Sequence, residues 1–167
     1  MAELTPQERL QPSLLDRLED DEPARREEGR DKRVMAAGRL RECVIRDLSW
    51  LLNCTHAEAD RPLDGFPHVA RSVFNYGVPD LAGAVLADVD ADRLQQRIRE
   101  AVMAFEPRLT PHTLRVTIST DHARMDRRSL VFDIESEMWA QPLPLKLYLK
   151  TEVDLETGRL DVSEGYG

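Results

Sequence analysis

Two segments of the chain carry apolar residues at the spacing of a helix that buries one face. The first covers about residues 31–54, where charged residues fill the positions between the apolar ones. The second begins after Asp90, a residue suited to cap a helix, and ends at Pro107, which cannot continue one. The two apolar stripes are Val34, Ala37, Leu40, Val44, Leu48 and Leu51 in the first segment, and Leu94, Ile98, Ala101, Val102 and Phe105 in the second. The pattern therefore predicts two amphipathic helices.

Beyond Pro111 the spacing changes from helical to the two-residue alternation of a half-buried strand. Three such runs cover about residues 114–119, 130–135 and 145–156, and a short fourth run at residues 159–163 follows a turn. Each run has one apolar face, which the two helices are available to cover. The pattern predicts an α+β fold, in which N-terminal helices pack on one face of a small antiparallel β-sheet, a meander.

Residues 1–30 differ in composition from the rest of the chain. Of the 18 residues 16–33, 14 are charged, in mixed sign, and such a stretch cannot bury itself. The sequence therefore predicts a charged N-terminal arm over residues 1–30 and one α+β domain over residues 31–167.

The arm contains one apolar stripe. Ser13 and Asp16 are placed to cap a short helix that carries Leu14, Leu15 and Leu18. Two interpretations stay open: the leucines dock in a groove of another protein, or the arm folds back on its own domain.

Residues 55–88 contain too many prolines and glycines for a long element. Their apolar residues nevertheless need burial, which predicts a compact loop region that buries Phe66, Val69, Val73, Phe74, Tyr76, Leu81, Val85 and Leu86. Trp50, near the end of the first helix, is expected to anchor either the core or an interface.

Composition narrows the classes of function. The net charge is −8, which argues against a nucleic-acid-binding protein, because phosphate contacts need a basic surface. Cys43 and Cys54 are too far apart on one helix to pair, and we expect two buried or half-buried thiols. No N-terminal run resembles a signal peptide and no stretch is long enough to span a membrane, so the expected location is the cytoplasm.

Candidate chemistry is scarce. There is no glycine-rich phosphate loop, and the histidines fall in no metal-like spacing, so we expect no cofactor, no metal ion and no small-molecule substrate. The best catalytic candidate is the pair Glu135 and Glu137, about 6.6–6.8 Å apart along one strand, a separation that overlaps that of glycosidase carboxylates. Two solvated glutamates on a polar strand face are the simpler interpretation, and no catalytic residue is predicted.

The second helix gives way to the sheet at Glu106, Pro107 and Arg108. Because the residue before a proline favours an extended conformation, the two charged side chains can point to the same side. Three interpretations stay open from the residues alone: the charges dock a partner, they pair with each other, or Arg108 binds the last carbonyls of its own helix.

Five segments in order resemble the TssE family of type VI secretion baseplate subunits, part of the lysozyme-like wedge family of contractile phage tails. They are PSLLDRL (12–18), RDLSWLLN (46–53), SVFNYGVPDL (72–81), FEPRL (105–109) and WAQPLPL (139–145). The resemblance covers about residues 11–158. It departs at Gln141, where the family pattern leads us to expect glutamate.

The resemblance implies a structural baseplate component without a catalytic role; the alternative, suggested by the family name, is a small peptidoglycan-cleaving enzyme. It implies that Glu106, Pro107 and Arg108 contact the helical core bundle of the larger wedge proteins. It also implies that the sheet shares strands with sheath subunits and so starts sheath assembly. We therefore expect partner docking at this corner and at Leu14, Leu15 and Leu18. We expect no direct membrane insertion, and Arg108→Ala is expected to weaken wedge assembly while leaving the domain folded.

Overall fold

The computed structural model describes residues 13–18, 37–57, 62–83, 90–119, 129–139 and 144–165. Its helices are α1 (Leu14–Leu18), α2 (Ala37–Leu52), α3 (Pro67–Ala70) and α4 (Ala91–Phe105), with a 3-10 turn at Val73–Asn75. Its strands are β1 (Arg115–Ser119), β2 (Ser129–Met138), β3 (Leu145–Asp154) and β4 (Leu160–Glu164). The boundary predicted between residues 30 and 31 lies outside the described residues.

The four strands form one antiparallel sheet in the order β1-β2-β3-β4, so each strand pairs with its neighbour in sequence. In the central pair, Ile134 lies opposite Leu149, and the next residue back, Asp133, lies opposite Lys150. Since successive side chains of a strand point to opposite faces, one face of the sheet is apolar and the other charged. The predicted α+β fold with an antiparallel meander is confirmed.

The apolar face of the sheet is buried under two helices. α2 packs beside β4 and α4 packs beside β1, so together they span the width of the sheet. Val44, Leu48 and Val102 from the helices and Phe132 and Ile134 from the sheet are fully buried. This two-layer arrangement buries the one apolar side of an amphipathic sheet.

Both predicted helices are present. The Asp90 carboxylate accepts a hydrogen bond from the N–H of Arg93 at 3.0 Å, as an N-cap should. α4 ends at Phe105, two residues before Pro107. The first predicted helix is observed as α2, while residues 31–36 lie outside the described part of the chain.

The apolar residues of the loop region are less buried than the sequence predicted. Four of them are exposed: Phe66 (62%), Val69 (37%), Val73 (76%) and Phe74 (79%). The prediction was wrong for these four because α3 and the 3-10 turn are too short to lay a face on the core. Leu81 is buried and Tyr76 half-buried, as predicted. Val85 and Leu86 fall outside the described ranges.

The burial of two further side chains, Cys54 and Trp50, corrects or narrows what the sequence suggested. Cys43 is buried, whereas Cys54 lies beyond the end of α2 and is exposed, so the predicted burial was wrong for Cys54. Trp50 is 52% exposed, which removes the core interpretation and leaves the interface one. No helix among the described residues is long and apolar enough to cross a membrane.

The loop region is tied to the residues that follow α2. The N–H of Val78 donates to the carbonyl of Cys54 at 2.8 Å. Gly77 has a φ of 126°, and a Cβ at this position would overlap the Cys54 carbonyl oxygen. Glycine is therefore required here both for the backbone conformation and for the close approach.

Candidate docking site

Backbone hydrogen bonds fix the corner between α4 and the sheet, residues 106–108. The N–H of Glu106 closes the last turn of α4, and the N–H of Leu109 donates to the carbonyl of Glu106 at 3.2 Å. From the end of β2, the N–H of Trp139 donates to the carbonyl of Arg108 at 2.8 Å. The corner is thus held by its helix on one side and by the sheet on the other, and Pro107 is exposed at its tip.

The two charges of the corner pair with each other. Arg108 donates from Nε to Glu106 Oε1 at 2.7 Å and from Nη2 to Glu106 Oε2 at 2.5 Å. The backbone N–H of Arg108 adds a third bond to Oε1 at 3.1 Å. Glu106 is only 3% exposed, so its carboxylate is a buried charge that needs a partner. Of the interpretations left open by the sequence, the internal ion pair is therefore present.

Asp47 on α2 joins this pair. Nη2 of Arg108 also donates to Asp47 Oδ2 at 2.5 Å, a contact between residues 61 positions apart. Burial opposes the positive charge of Arg108, but the hydrogen bonds and charges of Glu106 and Asp47 outweigh it and raise the pKa of Arg108 above its ordinary value. The guanidinium is therefore charged and fixed between the corner and α2.

The ion pairs continue along α2 to the N-terminal helix. Nη2 of Arg46 lies 2.8 Å from Asp47 Oδ1 and 2.7 Å from Asp16 Oδ1. The Asp16 side chain is 4% exposed, so this second carboxylate is also buried. We call the alternating series Asp16, Arg46, Asp47, Arg108 and Glu106 the charge ladder. It connects α1, α2 and the corner.

The charge ladder attaches α1 to the domain by its polar side. Ser13 Oγ donates to Asp16 Oδ2 at 2.6 Å, and the N–H of Asp16 donates to Ser13 Oγ at 3.3 Å, so the predicted cap is present. Burial opposes ionisation of Asp16, but hydrogen bonds from Ser13, Arg46 and Cys43 and the charge of Arg46 lower the pKa of Asp16 to about 2.

The leucine stripe of α1 points away from this attachment. Its exposed fractions are 74% for Leu14, 45% for Leu15 and 73% for Leu18. The described part of the arm therefore folds back on its own domain through Asp16, and it does so without burying the leucines.

Two aromatic contacts flank the charge ladder. The guanidinium carbon of Arg46 lies 4.9 Å from the centre of the Trp50 ring, which is within the range of a cation–π interaction. Tyr76 packs edge-on against Phe105, with ring centres 5.1 Å apart. Burial, followed by nearby negative charge, raises the pKa of Tyr76. Trp50 therefore lies beside Arg46 of the charge ladder, and Tyr76 lies beside the last residue of α4.

One donor group of the corner has no acceptor. Nη1 of Arg108 is buried and makes no hydrogen bond to any described residue, although the side chain as a whole is 22% exposed. A buried donor without an acceptor costs about 1–3 kcal/mol.

The carboxylate pair considered from the sequence lies on the polar face of the sheet. Glu135 and Glu137 line a shallow concavity of about 290 Å³. Arg115 lies opposite Glu135 and Lys146 opposite Glu137 in the strand register. These surroundings are polar, unlike the apolar pocket in which a glycosidase holds its acid. In the described ranges, no three metal-ligating side chains come together.

Sequence reasoning identified Glu106 and Arg108 but missed their partners on α2. Arg46 and Asp47 stand in one of the five resembling segments, and the helical pattern places them off the apolar stripe. That pattern gives no indication that Asp47 meets a residue beyond the end of α4.

Comparison with known proteins shows a match to a protein family. The family of baseplate wedge protein gp25 matches residues 38–143, a range that contains the corner and its partners on α2. A crystal structure from Geobacter sulfurreducens, described as a candidate tail lysozyme, is 19% identical; the alignment covers 70% of this chain and 94% of that one, with a TM-score of 0.44. No curated protein matches the chain.

Proposed function

Because the chain belongs to the baseplate wedge protein gp25 family, we propose that it is a structural subunit of a type VI secretion baseplate. The family gives it a structural role in a phage-tail-like baseplate. The choice of type VI secretion is supported by the five sequence segments described above. In this role the protein works in the cytoplasm, and the assembled baseplate brings it close to the membrane.

The corner docks on the helical core bundle of other wedge proteins. The observation that supports this most is Arg108, whose guanidinium is fixed by the charge ladder while its side chain stays 22% exposed. The last carbonyls of a helix or an acidic side chain of the partner suit a fixed, partly exposed arginine. Since Glu106 is buried, it acts by holding Arg108 in place, and exposed Pro107 offers the partner a rigid apolar contact.

The leucines of α1 form a second contact with a wedge partner. An exposed stripe on a short helix suits a hydrophobic groove, and the bond of Asp16 to Arg46 positions that stripe beside α2. We also propose that residues 1–30 act as the arm and residues 31–167 as the wedge domain.

The edge of the sheet starts sheath assembly by strand sharing. β4 is an edge strand of the described sheet, and edge strands present backbone N–H and C=O groups to which another chain can pair. Charges on the polar face, such as Lys150 and Glu152, discourage indiscriminate pairing.

Co-expression with the wedge and sheath proteins of a type VI system tests this function. Arg108→Lys keeps the charge but loses the planar fork, and Pro107→Ala removes the rigid tip. We expect both to lose wedge co-purification while Arg115→Lys, on the solvated face of the sheet, retains it. Normal co-purification of both corner variants would refute docking at the corner. Failure of the wild-type protein to join any wedge complex would refute the proposed function.

The peptidoglycan-cleaving alternative has a separate test. A muramidase assay on the purified protein, with Glu135→Gln and Glu137→Gln as controls, should give no activity. Activity that disappears in these variants would overturn the structural role proposed here.

A further inference from the structure

The edge of β4 is partly occupied, because one side chain already pairs with its first residue. Nδ2 of Asn53 donates to the carbonyl of Leu160 at 2.8 Å, and the N–H of Leu160 donates to Asn53 Oδ1 at 2.9 Å. A single side-chain amide thus makes both hydrogen bonds that a neighbouring strand would make with this residue. Asn53 is itself held in place, since Nδ2 also donates to the carbonyl of Ser49 in α2 at 2.8 Å.

Hydrogen-bond directions show which residues of β4 face β3. The carbonyl of Arg159 accepts from the N–H of Asp154 at 2.9 Å, and the N–H of Gly165 donates to the carbonyl of Tyr148 at 2.8 Å. Both residues are odd-numbered and bracket β4. Since an antiparallel ladder alternates along the strand, the odd-numbered residues of β4 direct their backbone groups toward β3.

The even-numbered residues of β4 therefore direct their backbone groups away from the sheet. They are Leu160, Val162 and Glu164. Leu160 is occupied by Asn53, while Val162 and Glu164 face a side on which the described sheet has no further strand. We call these two residues the open window.

Arg41 of α2 marks the far end of the window. Its Nη1 lies 3.3 Å from Glu164 Oε1, and its Nη2 donates to the carbonyl of Lys146 at 3.0 Å, on the part of β3 that extends past β4. The window thus lies between two side chains, Asn53 and Arg41, both positioned by α2.

Charge around the window favours a basic strand over a second copy of this chain. β4 carries Asp161 and Glu164 and no lysine or arginine. Arg159, just before it, lies 3.8 Å from Asp161 with both side chains highly exposed, so this pair neutralises little. Glu164 already pairs with Arg41, which leaves Asp161 as the less compensated carboxylate of β4. Two copies joined through this edge would add a second Asp161 and no basic residue of β4 to one short ladder, which is unfavourable.

The faces of β4 define the pattern of the incoming strand. Val162, on the helix-covered face, is half-buried, so an added strand would place apolar side chains there. Asp161 lies on the polar face, where the added strand would place basic side chains. The complementary sequence therefore alternates apolar and basic residues.

We propose that Asn53 sets the register of strand addition: a strand of another chain with alternating apolar and basic residues pairs at Val162 and Glu164 and stops at Leu160. This inference rests on the proposed strand sharing and names its edge, its register and the chemistry of the partner.

Amide hydrogen exchange on the full chain, with a short synthetic peptide of alternating valine and lysine as the probe, tests the proposal. We expect the peptide to slow exchange at Val162 and Glu164 by about tenfold or more, with Leu160 already protected and unchanged. A peptide of alternating valine and glutamate is the matched control and should protect neither residue.

Two variants test the role of Asn53 in the register. In Asn53→Ala, Leu160 should exchange rapidly in the free protein, and the basic peptide should extend protection to it. Asn53→Asp keeps the acceptor for the Leu160 N–H and should keep Leu160 protected. If Asn53→Ala does not fold, the register still follows from the wild-type protein, where protection should rise at Val162 and Glu164 and stay constant at Leu160.

Three results would overturn the proposal. They are no protection of the open window by the basic peptide, equal protection by both peptides, and protection that grows with protein concentration alone, which would indicate a second copy. The assay contains no wedge or sheath protein. Its failure is therefore distinguishable from a failure of co-purification, which would count against the proposed function instead.

Discussion

Arg108→Ala removes the partner of a buried carboxylate. In the intact corner, the Arg108 side chain makes two hydrogen bonds to Glu106, at 2.7 and 2.5 Å, and one to Asp47 at 2.5 Å. The substitution leaves the Glu106 carboxylate, in a residue only 3% exposed, with the backbone N–H of residue 108 as its donor. Breaking a buried ion pair by removing one partner costs about 3–5 kcal/mol.

Two features of the corner reduce this cost. Asp47 keeps its bonds to Arg46, so only Glu106 is left without a cation. The substitution also removes Nη1, a buried donor without an acceptor in the described structure. We therefore expect Arg108→Ala to lower the free energy of unfolding by about 2–3 kcal/mol. The sequence alone predicts that the domain stays folded after this substitution, and the structure adds that the folded domain becomes less stable.

Urea denaturation followed by circular dichroism measures the effect. With a slope of about 1–3 kcal/mol per molar urea, the midpoint should fall by about 0.7–3 M. Glu106→Gln leaves Arg108 bound to Asp47 and should cost less, and the double variant should cost less than the sum of the two single variants.

Arg115→Ala, on the solvated face of the sheet, is the matched control and should stay within about 0.5 kcal/mol of wild type. If Arg108→Ala were no more destabilising than Arg115→Ala, or if the double-mutant cycle showed no coupling, then buried Glu106 would not need Arg108 as its partner.

Low pH should weaken the attachment of α1 to the domain, because it protonates Asp16. The pKa of Asp16 is about 2, against an ordinary value of 3.8, and this difference corresponds to about 2 kcal/mol of stability. That stability is fully present above pH 3.8 and is lost as the pH falls through about 2. An NMR titration of the Asp16 carboxyl that gave the ordinary value would contradict this. Deleting residues 1–30 should leave the core folded and lower its free energy of unfolding by no more than about that amount, because Arg46 keeps Asp47. A much larger fall in the urea midpoint would show that the arm is part of the core. Gly77→Ala should lower the free energy of unfolding by more than about 1 kcal/mol. Gly65→Ala should have little effect, because the space around an added Cβ is open there. Equal urea midpoints for the two variants would exclude the close approach of Gly77 to Cys54.

The hydrophobic pattern by itself determined the elements and the fold class. The helical stripe through Leu40 and Leu48 became α2, and the two-residue alternation through Phe132 and Ile134 became β2. This works because the period of an element is a local property of its backbone, and the apolar face that must be buried follows from the same period. The prediction of an antiparallel sheet covered by helices needed no more than this.

Apolar identity alone did not decide burial in the loop region. Phe66 and Phe74 are large and hydrophobic, yet both are exposed. Burial depends on whether an element is long enough and correctly placed to reach the core, and the single turns that carry these residues are not.

Only the tertiary structure decided which polar side chains meet. Arg108 and Asp47 are 61 residues apart, and Asn53 and Leu160 are 107 apart. The sequence placed Arg108 at a corner but left its partner open, since no local pattern reports a contact over such distances. The partner was fixed when the packing of α2 against the sheet and α4 brought Asp47 to the corner and Asn53 to the edge of β4. The pairing of buried charges and edge groups is a property of that packing, because each needs an opposite group close in space, wherever it lies in the chain.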